Sequence, residues 1–282
     1  MSVETVSLAA NGLRFTADLA GPPGGDPVLL LHGYPQTRHT WRAELRALAA
    51  AGFRACAPDQ RGYSAGARPE GIDAYRTENL IADALAVADS LGAARFHLVG
   101  HDWGGQLAWL TAAQHPERVR TLAVLSRPHP AAFARAMSAD PEQANRSRHH
   151  RAFQRAEATD LLLENGAARL RAALAAQGVP PGDVDVYLAT LGQRPALDAA
   201  IHWYRAAGSA GLAAASVPPV KVPTLYVWGD ADATVGRPAA EATRGFVDAP
   251  YEFVELPGVG HFVTDQAPDA FAPLLLRHLA RG

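Results

Sequence analysis

Val99-Gly100-His101-Asp102-Trp103-Gly104-Gly105 decides the architecture. It joins the apolar run Phe96-His97-Leu98-Val99, which predicts a strand, to a helical pattern from about Gly104 to His115. Glycines stand two residues before and two after position 102. A strand-to-helix turn this tight needs small neighbours, because backbone must approach backbone. Its apex residue is pushed out above the sheet at the start of a helix, where the dipole and free N–H groups favour an anion. The pattern is that of a nucleophile elbow, with aspartate where serine is usual. An aspartate at a helix start is by itself an ordinary N-cap; the flanking glycines and the acid and histidine downstream favour a chemical role. A carboxylate is already ionised at neutral pH, with a reference pKa of about 3.9. It can attack a saturated carbon and form an alkyl ester on the protein, which water must then cleave.

Outward from the elbow, strand and helix patterns alternate. Pro27 to His32 and Phe53 to Ala57 read as strands, with a helical pattern from Arg38 to Ala51 between them. Thr77 to Leu91 reads as a helix, and Val119 to Leu125 as a strand. Alternation of this kind predicts a mainly parallel sheet covered on both faces. The rhythm stops after Ser126-Arg127-Pro128-His129-Pro130 and gives way to Ala- and Arg-rich helical patterns. Strands resume at Thr224 to Trp228 and Tyr251 to Leu256, before a last helix from about Pro268. We therefore expect one α/β core made of residues 1–126 and 220–282, with residues 127–219 as a helical insertion.

The partners that a carboxylate nucleophile needs follow in order. Trp228-Gly229-Asp230-Ala231-Asp232 offers an acid after one strand, and Gly258-Val259-Gly260-His261-Phe262 a base after the last. Backbone N–H groups of Trp103 and of Tyr34, which follows His32-Gly33, are the expected oxyanion donors; such a donor is often worth roughly 3 kcal/mol on a barrier. The segments HGYP (His32 to Pro35), DQRG (Asp59 to Gly62), GHDWGG (Gly100 to Gly105), GDAD (Gly229 to Asp232) and GVGHF (Gly258 to Phe262) together resemble the α/β-hydrolase superfamily. Within it they resemble the aspartate-nucleophile branch of epoxide hydrolases, soluble bacterial ones in particular, and dehalogenases. The resemblance covers essentially the whole chain. It implies an eight-stranded, mostly parallel sheet with an inserted helical cap, and a cis bond before Pro35. It makes Asp102 the nucleophile, His261 the general base, and Asp232 rather than Asp230 the orienting acid. It implies opening of an epoxide to a vicinal diol, with a cap tyrosine as proton donor.

Ile201-His202-Trp203-Tyr204-Arg205-Ala206 resembles the helix that carries such a tyrosine, which makes Tyr204 the expected donor. The family's second tyrosine has no counterpart in Arg148-His149-His150-Arg151-Ala152-Phe153-Gln154, where His149 or His150 falls near its place. A dehalogenase is the alternative, and Trp103 suits a halide. But Tyr34 stands where those proteins often carry asparagine, and Trp103 and Gln106 stand where the haloacid branch carries arginines. A third reading is a receptor of this fold that binds small molecules without turnover.

Composition removes other chemistries. Lys221 is the one lysine and no glycine precedes it, which excludes a phosphate-binding G-K-[ST] loop. Cys56 is the one cysteine, so disulfides within the chain and cysteine-rich metal sites are excluded. The formal charge of −2 argues against an electrostatic nucleic-acid binder. His149-His150 lies outside any HExxH pattern and is not expected to bind metal. No secretory signal or apolar span of membrane length is visible, so a cytoplasmic protein, monomer or homodimer, is expected. No cofactor is expected. The expected partner is a small epoxide, apolar or aromatic, facing the inserted helices.

Overall fold

The apolar runs of the sequence become the middle of one eight-stranded sheet. The computed structural model describes residues 2–208 and 217–282. The strands are β1 (Glu4–Ala10), β2 (Leu13–Ala20), β3 (Pro27–Leu31), β4 (Arg54–Pro58), β5 (Phe96–His101), β6 (Val119–Leu125), β7 (Thr224–Gly229) and β8 (Tyr251–Leu256). Their spatial order is β1-β2-β4-β3-β5-β6-β7-β8. β1 with β2 and β2 with β4 are antiparallel, and every other pair is parallel. Every residue of β5 and β7 is buried, as expected of strands covered on both faces. Alternate residues feed two cores. Val28, Leu30 and Val99 pack with Leu45, Leu48, Phe271 and Leu275 on one side. Leu29, Leu31 and Leu98 pack with Leu80, Ile81, Leu107 and Trp109 on the other. Truncating such a side chain to alanine costs about 2–5 kcal/mol.

Apolar patterning does not mark β1 and β2, because β1 is an edge strand with a mostly exposed surface. Their signal is local. Asn11 and Gly12 carry φ of 47° and 73°, the conformation of a two-residue hairpin turn, and Asn-Gly is the preferred dipeptide for it.

Between β6 and β7 the described residues form the helices Pro130–Ala139, Pro141–Arg146, His149–Ala152, Ala158–Ala176, Pro181–Leu191 and Arg194–Ala207. The fourth of these is broken at Glu164 to Ala167, where Asn165, Gly166 and Ala167 all have positive φ. Residues 209–216 of the expected insertion lie outside the described residues. Directional contacts seat these helices on the sheet's carboxyl end. Trp203 Nε1 donates to the Arg61 carbonyl (2.9 Å), Gln143 Nε2 to the Thr234 carbonyl (2.9 Å), and the Gly236 N–H to Gln143 Oε1 (2.8 Å). Among the described residues, no helix is long and apolar enough to cross a membrane.

Candidate active site

The elbow begins where β5 ends. Asp102 adopts φ 51° and ψ −116° and immediately precedes the helix Trp103–Gln114. That backbone is unfavourable for an L-residue, at a cost on the order of 1–3 kcal/mol, so its surroundings must enforce it. The glycines explain how. A Cβ on Gly100 would run into the Gly104 carbonyl, and one on Gly104 into the carbonyls of Leu31 and His32. A Cβ on Gly33 would occupy the place of the Asp102 side chain. The bond between Tyr34 and Pro35 is cis, as the resemblance implied.

The Asp102 carboxylate is buried, and its two oxygens differ. Oδ1 accepts the Tyr34 N–H at 2.9 Å. Oδ2 lies 3.4 Å from His261 Nε2. On the other edge of that imidazole, Nδ1 lies 2.8 Å from Asp232 Oδ2. Asp232 is fixed in turn, because its Oδ1 accepts the N–H groups of Thr234 (2.6 Å) and Val235 (3.0 Å). Asp230 instead accepts the Gly258 N–H and does not face the histidine. The His261 carbonyl is held by His101 Nε2 (2.8 Å) and Ser126 Oγ (2.6 Å), which tie the histidine loop to the elbow. His32 accepts the Gln60 N–H at Nε2 and donates from Nδ1 to the Gly33 carbonyl, steadying the loop that presents Tyr34.

Charge follows from this arrangement. Burial disfavours a charged His261, yet Asp232 and Asp102 outweigh it and push its pKa up to about 10. Burial alone would raise Asp102, but the hydrogen bond and charge of His261 hold its carboxyl well below the usual range. The resting site is therefore a carboxylate–imidazolium–carboxylate row.

An aromatic ceiling from the inserted helices covers Asp102. Tyr204 packs edge-on against Trp103 (4.9 Å between centroids), Phe153 (4.8 Å), His150 (5.2 Å) and Tyr34 (5.5 Å). His149 lies 6.0 Å from Tyr204, so the structure brings both histidines of the pair to the tyrosine. Burial pushes His149 down to about 4 and His150 to about 3, so both are neutral at pH 7 and offer one N–H each. Burial, followed by the Asp102 charge, raises Tyr204 well above the ordinary phenol value, which keeps it protonated. The Trp103 N–H opens the helix beside the carboxylate, and among the described residues it makes no hydrogen bond to Asp102. The Tyr34 hydroxyl is buried under the same ceiling, without a partner among the described residues. Among these residues no three His, Cys, Asp or Glu side chains converge as a metal site would require.

One residue at the site carries no signal in the sequence. Arg127 follows β6 and is 7% exposed. Its guanidinium lies between the rings of Phe133 (3.9 Å) and Trp103 (5.9 Å), with Nε donating to Gln106 Oε1 (3.0 Å). An arginine in an S-R-P-H-P run reads as a loop residue, and only the return of β6 beside β5 places it near the elbow.

A family model described as the alpha/beta hydrolase fold matches residues 26–268. Epoxide hydrolase A of Mycobacterium tuberculosis is 31% identical, with 95% of each chain covered. Epoxide hydrolase 4 of Mus musculus is 32% identical, over 94% of this chain and 76% of the relative. A solved structure described among novel epoxide hydrolases of the alpha/beta hydrolases superfamily, from metagenomes of hot environments, superposes with a TM-score of 0.88. It is 31% identical, with 99% of each chain covered. By the extent of the family match and by its identity to these relatives, the chain belongs to the alpha/beta hydrolase fold family.

Proposed function

We propose that this protein is an epoxide hydrolase working through a covalent ester on Asp102, with residues 127–219 as its cap. The observation that carries the reading is the asymmetry of the Asp102 carboxylate under the Tyr204 ceiling: Oδ1 on the Tyr34 N–H, Oδ2 toward His261. Oδ2 attacks an epoxide carbon in line, the C–O bond breaks, and Tyr204 gives its proton to the leaving oxygen while an imidazole N–H of His149 or His150 steadies it. His261 returns a proton to Tyr204. Ester formation has by then removed one of the two carboxylates that raised the histidine's pKa, so a neutral base is left where the second step needs it. His261, aligned by Asp232, next takes a proton from water, and the hydroxide attacks the ester carbonyl. Negative charge develops on Oδ1, already at the Tyr34 N–H, with the Trp103 N–H as second donor. Collapse returns the alkoxide, which takes the proton of the Asp102 acid and leaves as a diol. The starting carboxylate and imidazolium are regenerated. The curated relatives named epoxide hydrolases support this reading.

The test pairs styrene oxide with 1-chlorobutane. Diol without halide is expected from the wild type. In His261→Gln, the intact protein should gain the mass of one epoxide. Halide release without diol would make the protein a dehalogenase. Binding without either product would make it a receptor.

A further inference from the structure

Arg127 is a buried cation that the mechanism above does not use. Among the described residues it has no carboxylate partner: Nε is spent on the neutral Gln106 amide, and the guanidinium lies over the Phe133 ring and, farther off, the Trp103 ring. Burial costs the charge and pulls its pKa down, and the nearest compensation is the more distant Asp102. A guanidinium held this way is poised for an anion. Its place matters, because Arg127 and Tyr204 lie against the same Trp103 ring, at 5.9 Å and 4.9 Å. His150 stacks on that ring (6.3 Å) and reaches both Phe133 (6.2 Å) and Tyr204 (5.2 Å), so the cation and the proposed ring-opening acid belong to one aromatic cluster.

A second observation points the same way. Arg148, Arg151 and Arg155, all exposed, line an open cleft together with His149 and Ala152. Arg148 reaches only Asn145 Oδ1, at 3.4 Å, and no described carboxylate pairs with any of the three. His149 also lines that cleft, and its ring lies 6.0 Å from the Tyr204 ring. A chain with formal charge −2 thus gathers three exposed arginines beside the histidine that packs near Tyr204.

We propose that the substrate is an epoxide bearing a carboxylate, drawn in past Arg148, Arg151 and Arg155 and anchored on Arg127. This deepens the epoxide-opening reading and rests on it. It changes the expected substrate from purely apolar to amphiphilic: an apolar body for the Tyr34, Trp103 and Phe153 rings, and an anionic end for Arg127. The cleft acts on encounter, through long-range attraction that salt screens.

The experiment compares 4-(oxiran-2-yl)benzoate with styrene oxide, a pair that differs only in the carboxylate. Wild type should favour the benzoate at least tenfold in kcat/KM, and that preference should shrink as salt rises. Arg127→Gln should lower the ratio at least tenfold, while Arg127→Lys, which keeps the charge, should lower it less. Replacing Arg148, Arg151 and Arg155 together by glutamine should flatten the salt dependence. A wild-type ratio at or below one, or an Arg127→Gln effect equal for both epoxides, overturns the anion site. If neither epoxide yields diol, the epoxide reading fails, and the anion site is judged by equilibrium binding of 4-(1,2-dihydroxyethyl)benzoate against phenyl-1,2-ethanediol. Tighter binding of the acid, lost in Arg127→Gln, supports it; equal binding sinks it.

Discussion

At the scale of single residues, the proposed chemistry turns on where one negative charge sits. Asp102 and His261 are each held charged by the other, with Asp232 behind the imidazole. Asp102→Asn imitates the electrostatics of the ester by removing one carboxylate while keeping the shape. The His261 pKa should then fall by one to several units from about 10, readable as the ring-proton titration by NMR. A titration still near 10 would show that Asp102 does not hold the proton. The sign for stability is fixed by the same shift. A histidine raised in the folded state contributes fully below its unfolded value of about 6.5, and that contribution fades as pH climbs through its folded value. Tyr204→Phe removes the proton proposed to open the ring and should lower kcat by about 10²-fold or more, within the range of positioned general acids. If kcat stays within threefold of wild type, a neighbour such as His149 or His150 supplies that proton.

Among the secondary-structure elements, the helix Arg42–Ala50 carries a different kind of charge. Glu44 is fully buried on its inner face, and neither carboxylate oxygen has a partner among the described residues. Burial pushes its pKa up to about 8. Between the unfolded value near 4.5 and that folded value, the folded protein keeps a proton the unfolded chain has released, so Glu44 lowers stability as pH rises. Glu44→Gln should stabilise the protein by up to about 3 kcal/mol at pH 7, and the gain should vanish near pH 4.5. Denaturant melts of both proteins at pH 5 and pH 8 decide it. A difference independent of pH would mean that Glu44 is ionised in the fold.

The elements also differ in how plainly the chain announces them. β3, β5, β6 and β7 are covered on both faces, so they read as mostly apolar runs, and β6 lies at Val119–Leu125 as expected. β1 is exposed along one edge, and its only clear mark is the Asn11-Gly12 turn. The glycines of the elbow are legible because steric crowding allows nothing larger. That His149 and His150 both reach Tyr204 is not legible, because it depends on how the segment around His149–Ala152 is tied to Arg194–Ala207. Gln154 Nε2 on the Tyr204 carbonyl and Arg205 on the Phe153 carbonyl make that tie.

For the molecule as a whole, the histidine content becomes a property of stability. Six of the eleven histidines, His97, His101, His129, His149, His150 and His278, are pushed down to about 3 or 4, chiefly by burial. Below about pH 6.5 the unfolded chain protonates them and the folded one does not, so stability falls with acid by about 1.4 kcal/mol per pH unit for each. Their sum amounts to several kcal/mol per unit. Stability should fall as pH drops below about 6.5, with uptake of protons on unfolding, measurable by melts at stepped pH. A stability flat from pH 7 to 5 would refute it.

The sequence alone determined the sheet's buried strands, the glycine-flanked turn that carries Asp102, and the chain order of Asp102, Asp232 and His261, the proposed nucleophile, acid and base. Each is written in local constraints: apolar runs where both faces are covered, glycines where backbones touch, turns after strands. Only the tertiary structure decided that both His149 and His150 meet Tyr204, and that Arg127 stands beside Trp103 without a carboxylate partner among the described residues. Those facts rest on residues far apart in the chain, brought together by parallel strand order and the docking of the inserted helices, and no local pattern encodes such distances.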